Sequence, residues 1–409
     1  MLGQLFPALA ERDVRRYAIG QVTSVIGGWT QTITINLLAW ALTGSPGMLG
    51  LLNFLLFAPS LVVAPLGGSR ITQGNALRAT TWILMGSLTI SSLLTLLAAL
   101  GQLTIAWLIG VAAVAGFFNA MEMPARQVLL INCVRDRSLI VNAVSVNSLA
   151  WNCGRMIGPA LGAMLFAGFG AAWGFAANVI GLTVMLFCVR TVRLNAQATK
   201  PGAARGGLRA AARYVMDDPQ ASVMMPVLAC VGVFAGGYQT LVPVLADRGH
   251  GDTAAFTGLF FGSAGGGSLC VAMLLSSRYA LPASRRVLVW MPWLTALSLC
   301  AIALLDAPAL AAASFALLGA SITFTGPGTN ANLQQHAPPH LRGALSGLFT
   351  MAFMGTIPFG QLLAGALAES LSVRQTLLAM AGALMVALLL LFVPRWIRQR
   401  RPTIGAGRL

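Results

Sequence analysis

Asn147-Ser148-Leu149-Ala150-Trp151-Asn152-Cys153-Gly154-Arg155-Met156-Ile157-Gly158-Pro159-Ala160-Leu161-Gly162-Ala163 lies in an apolar run long enough to cross a bilayer, continuing to Gly170. Gly154, Gly158 and Gly162 recur every four residues, so they share one helical face and let a second backbone come close. Pro159 removes a backbone donor and crowds the preceding turn, so a bend is expected there. Arg155 places a permanent charge in hydrocarbon, and an ionisable residue at that depth is a functional hypothesis by default. The stretch reads either as a hinge or conduction element facing the second half of the chain, or as a plain packing seam.

The remainder has the same character. The 409 residues are 57% hydrophobic and 9% charged, with a mean hydropathy of +0.79. Those values exclude a soluble protein and, at about 20 apolar residues per span, allow about a dozen crossings. The net charge of +16 does not point to a nucleic acid, because the basic residues sit in small groups between apolar runs. Six scattered cysteines and three separate histidines form neither a disulfide framework nor a metal site. The first apolar run is too long for a signal segment and is read as an uncleaved span.

Twelve runs are expected, at 17–42, 47–68, 79–100, 103–123, 140–167, 171–189, 221–246, 254–277, 287–305, 308–328, 343–367 and 373–393. With the N-terminus cytoplasmic, every Lys and Arg falls on the inner side except Arg155 within a span and Arg248 and Arg374 outside. That bias supports twelve spans with both termini inside. The chain thus divides into a six-helix bundle at 1–189, a basic cytoplasmic linker at 190–220, a second bundle at 221–393 and a basic tail at 394–409. The linker carries the breakers Pro201-Gly202 and Gly206-Gly207, and 208–216 suits a short amphipathic helix on the inner leaflet. Features recur about 200 residues apart: Gly158-Pro159 matches Pro358-x-Gly360, and Arg135-Asp136-Arg137 matches the stretch from Pro338 to Arg342. Two parallel six-helix repeats are a transporter architecture.

In this order and spacing several short motifs carry a resemblance. They are Leu42-Thr43-Gly44-Ser45-Pro46, Glu122-Met123-Pro124-Ala125-Arg126-Gln127, Gly158-Pro159-Ala160-Leu161-Gly162, Gln334-Gln335 through Pro339-x-Leu341-Arg342-Gly343, and Pro358-x-Gly360-Gln361. The chain resembles a major facilitator superfamily transporter, in the branch with the enterobactin exporter and macrolide-efflux proteins. The resemblance implies an all-α integral membrane protein of twelve helices, a bacterial inner-membrane exporter working by alternating access. The span-five motif resembles that of antiporters and so implies coupling to an ion gradient, usually protons. Two departures stand out. The loop between spans two and three has neutral Thr72 and Asn75 where the family has acids, and Ala344 replaces an arginine.

No acid lies near the middle of a span. Glu122 is the coupling candidate, with Arg126 one turn on in the favourable order for an i,i+4 pair, which is also its purely structural reading. A direct Glu122–Arg155 bridge is not expected, given their different depths. Arg155 can attract an anionic or catecholate-type substrate, modulate a proton site, or be satisfied by carbonyls and amides. The other polar candidates to line a cavity are Gln31, Asn36, Asn53, Asn119, Asn147, Asn152, Tyr238, Gln239, Asn330 and Gln361, some of which will merely bond across helices. No catalytic constellation, nucleotide-binding loop or cofactor site is found. A monomer in the lipid bilayer is expected, moving a siderophore first and a drug-like molecule second. A non-transporting sensor or scaffold is the reading of another class.

Overall fold

The computed structural model describes residues 6–68, 70–72, 74–192, 208–250, 252–276, 285–338 and 341–400. The linker breakers, Pro339 and the tail from 401 lie outside the described residues. Twelve helical passes follow one another: α1 Arg12–Thr43, α2 in two pieces (Pro46–Phe57 and Pro59–Gly68), α3 Ala76–Ala99, α4 Ile105–Cys133, α5 Ile140–Phe169 and α6 Ala171–Thr191. The second six are α7 (Ala221–Cys230, a π turn Val231–Ala235, then Tyr238–His250), α8 Thr253–Ser276, α9 Arg285–Leu304, α10 Pro308–His336, α11 (Arg342–Phe353 and Ile357–Ser370) and α12 Val373–Arg400. We call the face where α1 begins the near face and the face where it ends the far face.

Ten of these passes are long and apolar enough to cross a membrane. The two that fall short are α1, with Thr30, Gln31, Thr32, Thr34 and Asn36, and α5, with Asn147, Asn152 and Arg155. Such residues are tolerated at membrane depth only where a helix faces protein or a polar cavity rather than lipid. Apolar runs mark the hydrocarbon-matched part of each helix and not its full length. Thus α4 continues ten residues past its expected end at 123, through Pro124 to Cys133, and α10 runs on to His336.

The turn from α1 to α2 shows how sequence sets the boundaries. Gly44 ends α1 in the left-handed region (φ 58°), with its N–H on the Trp40 carbonyl. That conformation suits glycine. Ser45 then caps α2 by accepting the Met48 N–H at 3.1 Å, and Pro46 occupies the first turn, where its missing donor is not needed. In the loop after α2, Asn75 accepts the Thr72 N–H at 2.7 Å and donates to the Arg70 carbonyl at 2.9 Å. The neutral residue at the family's acidic position therefore ties the loop to itself.

A ten-residue helix, Leu208–Asp217, precedes α7. Its Ala211 is buried with Ala337, Leu341 and Leu345, so the helix docks on the start of α11 instead of only lying on a lipid surface. Arg209 and Arg213 stay exposed.

The glycine row of α5 was expected to face the second half. It faces α1. A Cβ at Gly158 would lie 2.5 Å from Trp29 Cβ and 2.8 Å from the Ile26 carbonyl, and one at Gly162 would lie 2.8 Å from the Thr30 carbonyl. Gly154 abuts Val25, and Thr30 donates across the seam to the Gly158 carbonyl at 3.0 Å. The second half is met by the opposite side of α5: Gly258 of α8 packs on Ala163, and Gly265 on Met156. The second repeat copies this plan. Gly360 of α11 packs on the Val233 carbonyl of α7, while Gly365 and the Gln361 carbonyl meet Gly50 of α2. Each half therefore has one helix glued to its own first helix and to the partner half's second. Of the two prolines, only Pro358 stands beside an interruption of its helix. α11 breaks at 354–356 just before Pro358, whereas α5 runs unbroken through Pro159.

Candidate functional site

Among the described residues, three polar clusters and one cation without a charged partner bear on the candidate site. The first cluster surrounds Arg126, which is 2% exposed. Glu122 lies one turn away on α4 and meets its Nη2 at 2.6 Å, while Gln21 Oε1 and Ser24 Oγ of α1 accept from the guanidinium at 3.0 and 2.7 Å. The Tyr17 hydroxyl donates to the Arg126 backbone carbonyl at 3.1 Å, fixing that turn of α4. A guanidinium can be buried this way because a carboxylate and two side-chain acceptors replace its water. Glu122 is more accessible than Arg126, with 17% of its side chain exposed against 3%. It faces a polar cavity lined also by Ser24, Gly28, Ser87, Asn119 and Asn178.

The same cavity contains the second cluster. Asn178 of α6 donates to Gln31 at 3.0 Å and to Ser91 of α3 at 2.9 Å. Asn178, like Gln21 and Ser91, was missed as a site residue. A single asparagine in an apolar helix carries no signal of its partner. The third cluster bridges the two halves: Asn36 and Asn53 exchange hydrogen bonds at 2.8 and 3.2 Å, and Asn53 reaches Thr240 of α7 at 3.4 Å. Next to Thr240, Gln239 accepts from Gln361 at 2.9 Å, and Tyr238 lies against the rings of Phe261 and Phe315. Asn36, Gln239 and Gln361 are thus brought to one region between α1, α2, α7 and α11, while Tyr238 faces α8 and α10. Asn147 is placed elsewhere, in a tight crevice with Tyr17 and Gln21, and Asn152 bonds to the Ser148 carbonyl of its own helix at 2.8 Å. Asn330 is half-buried on α10.

Arg155 stands apart from all three clusters. It sits near the midpoint of the thirty-residue α5, half-buried, with its Cζ 5.7 Å from the centre of the Trp29 ring on α1. Among the described residues its side chain has no hydrogen bond or ion pair, and Glu122 is engaged with Arg126 instead. A cation–π contact is worth about 0.5–2 kcal/mol, well short of the several kcal/mol for burying an uncompensated guanidinium. Trp29 is the partner that the sequence left unnamed. Ser148, Asn152, Arg155 and Pro159 recur at helical spacing along one side of α5, distinct from the glycine row on α1. Because Pro159 has no N–H, the Arg155 carbonyl loses its usual intrahelical donor. It lies against Gly265 of α8.

On the far face the halves are clasped. Glu369 at the end of α11 accepts hydrogen bonds from the Ser45 hydroxyl and, at 3.0 Å, from the Gly47 N–H. Phe54 and Phe359 stack edge to face two turns deeper, with centroids 5.5 Å apart. The first half thus closes on the second where α2 begins and α11 ends.

Comparison with known proteins agrees with this architecture. Residues 6–400 match the family described as transmembrane secretion effector. The chain is 26% identical over 320 residues to the multidrug efflux pump Tap of Mycolicibacterium fortuitum, covering 74% of this chain and 75% of that protein. It is 25% identical over 231 residues to the staphyloferrin A transporter of Staphylococcus aureus (strain NCTC 8325 / PS 47), covering 54% of this chain and 56% of that one. Among solved structures, the nucleoside transporter NupG superposes with a TM-score of 0.73 at 13% identity, covering 93% of this chain and 98% of that one. An inward-facing bacterial homologue of the human lysosomal transporter Spinster gives 0.71 at 14%, covering 93% and 96%. These structural likenesses concern the fold alone. Taken with the match over nearly its whole length, they lead to one assignment: the chain is a multi-pass membrane transporter of the major facilitator superfamily and belongs to its transmembrane secretion effector family.

Proposed function

We propose that this transporter exports an amphipathic small molecule across the bacterial inner membrane by alternating access, with both termini cytoplasmic and the chain acting as a monomer. In this reading 1–189 and 221–393 are the moving bundles, 190–220 is their cytoplasmic tether and 394–409 a basic tail. The observation that carries it is closure of the two halves at the far face. Ser45 and Gly47 meet Glu369 at the far face, and the polar clusters lie deeper, between helices that pack through small residues. Small-residue seams permit rocking of one half against the other around a central site.

A siderophore is the first substrate reading and is supported by the relative named a staphyloferrin A transporter. Drug efflux is the second and is supported by the longer match to Tap. Proton antiport through Glu122 is part of the proposal. The carboxylate faces the polar cavity and holds a buried cation, so its protonation would remove the charge opposite Arg126 and weaken the tie between α1 and α4. Proteoliposomes loaded with a candidate siderophore or drug, under an imposed pH gradient, test this. If no candidate moves in either direction, the export reading fails. If flux ignores pH and membrane potential, only the antiport part falls.

A further inference from the structure

We infer that Arg155 and Trp29 form the recognition point for an oxygen anion of the substrate, so that the transported molecule is an organic anion with an apolar body. The inference deepens the export reading and rests on it. The argument is one of charge balance. The chain has ten acids, and those with described side-chain partners are engaged away from Arg155. Glu122 pairs with Arg126, Asp13 with Arg135, and Asp306 with Arg374. Glu11 accepts the Arg135 and Asp136 backbone N–H groups, Asp136 that of Ser138, and Asp218 those of Gln220 and Ala221. Asp247 takes the Thr253 hydroxyl, Asp252 the Ala255 N–H, and Glu369 is in the far-face clasp. Asp217 lies at the end of the linker helix, outside the twelve passes.

Arg155 is therefore the one charge near the middle of a pass, among the described residues, for which the protein supplies no opposite charge. Its guanidinium lies over the ring of Trp29. A ring face compensates a cation but leaves the N–H fork free in the plane of the group, and that fork matches two oxygens of one carboxylate. Depth and surroundings fit a substrate point better than a structural one. The residue sits at mid-helix on the side of α5 that carries Ser148 and Asn152, and both Arg155 and Trp29 remain half-buried. On α1, a Cβ at Gly28, next to Trp29, would meet open space, and Gly28 borders the polar cavity. An anion with an aromatic or alicyclic body can thus pair its charge with Arg155 and lay its apolar part beside Trp29.

The test uses two small probes of equal shape and different charge, salicylate and salicylamide. Equilibrium binding of each is measured on the purified full-length chain in detergent, for the wild type, Arg155→Gln, Arg155→Lys and Trp29→Leu. The wild type is expected to bind salicylate at least tenfold more tightly than salicylamide. Arg155→Gln should erase that preference, weakening salicylate far more than salicylamide, Arg155→Lys should keep part of it, and Trp29→Leu should weaken both probes. An unchanged melting temperature and a single gel-filtration peak show that each variant is folded, and Arg155→Lys keeps the test meaningful if Arg155→Gln is not. Equal affinity of the wild type for both probes, no saturable salicylate binding, or an unaltered preference in folded Arg155→Gln overturns the inference. Anion preference in a chain that transports nothing in proteoliposomes would sink the export reading alone. Transport of drug cations that is indifferent to Arg155→Gln would sink this inference and leave export standing.

Discussion

The Glu369 carboxylate accepts the Gly47 backbone N–H at 3.0 Å, joining residues 322 positions apart in the two halves of the chain. The Ser45 hydroxyl donates to the same oxygen. One carboxylate therefore completes the N-terminal cap of α2 from across the interface, where the helix dipole favours negative charge. Glu369→Gln keeps the acceptor and removes the charge. Since the site is exposed, the loss is about 0.5–1 kcal/mol after screening, a severalfold shift away from the closed far face. A short bifunctional thiol reagent bridging Ser45→Cys and Glu369→Cys reads this contact directly. Bridging should stop transport, and cleavage of the bridge should restore it; a bridged chain that still transports would mean the clasp does not open during the cycle.

Gly158→Ala places a methyl group 2.5 Å from Trp29 Cβ and 2.8 Å from a backbone carbonyl. Overpacking of that kind costs about 1–3 kcal/mol, so the melting temperature in detergent should fall. Gly258→Ala adds its methyl 2.9 Å from Ala163 Cβ, on the seam between halves. It should alter transport rate more than stability. Equal effects of both substitutions on both measurements would contradict the division into an internal seam and a moving one.

Arg126→Leu leaves Glu122 facing buried polar groups without its cation, and breaking a buried pair in this way costs about 3–5 kcal/mol. Glu122→Gln is milder, because the amide still accepts from Arg126. The double variant Glu122→Gln/Arg126→Gln should be more stable than Arg126→Leu alone, and thermal unfolding of the set measures the coupling. Additive losses would show that the two residues do not act as a pair.

Asn178→Ala removes both donors that hold Gln31 and Ser91. With about 1–3 kcal/mol for each buried group left unsatisfied, this should be the most destabilising alanine replacement in α6. Asn152→Ala, which loses only a bond to its own helix, should be close to neutral in the same melting assay.

How much of this was legible in sequence follows from what each signal encodes. Charge placement and apolar run length are one-dimensional, so the twelve passes could be read from the arginines between them. The spacing of Gly154, Gly158 and Gly162 fixes a shared face but not the helix that covers it. The assignment to the second half was therefore wrong, and α1 is the partner. Arg126 and Glu122 could be paired because they sit one turn apart on one helix. Trp29 and Arg155 could not, since 126 residues separate them and a tryptophan in an apolar run is equally suited to lipid or core. The near-face end of α4 was cut short at 123 because hydropathy stops at Glu122 and Arg126, while the helix itself carries both charges inward and goes on.

The doubled attachment of α5 and α11 has a mechanical consequence. Each is pinned by glycines to the first helix of its own half, α1 or α7, and rests its other side on the partner half through Met156–Gly265 or Gly50–Gly365. Neither can slip along its own half without driving side chains into backbone, so each behaves as a fixed lever arm extending from one rigid body over the other. In the proposed alternating-access cycle, relative motion would turn on these two bearings related by the internal repeat, with tilting as the soft direction. The unbroken α5 and the interrupted α11 make those bearings unequal. Compliance is concentrated at 354–356 in the second half, which is where a load on the far-face clasp would first be absorbed.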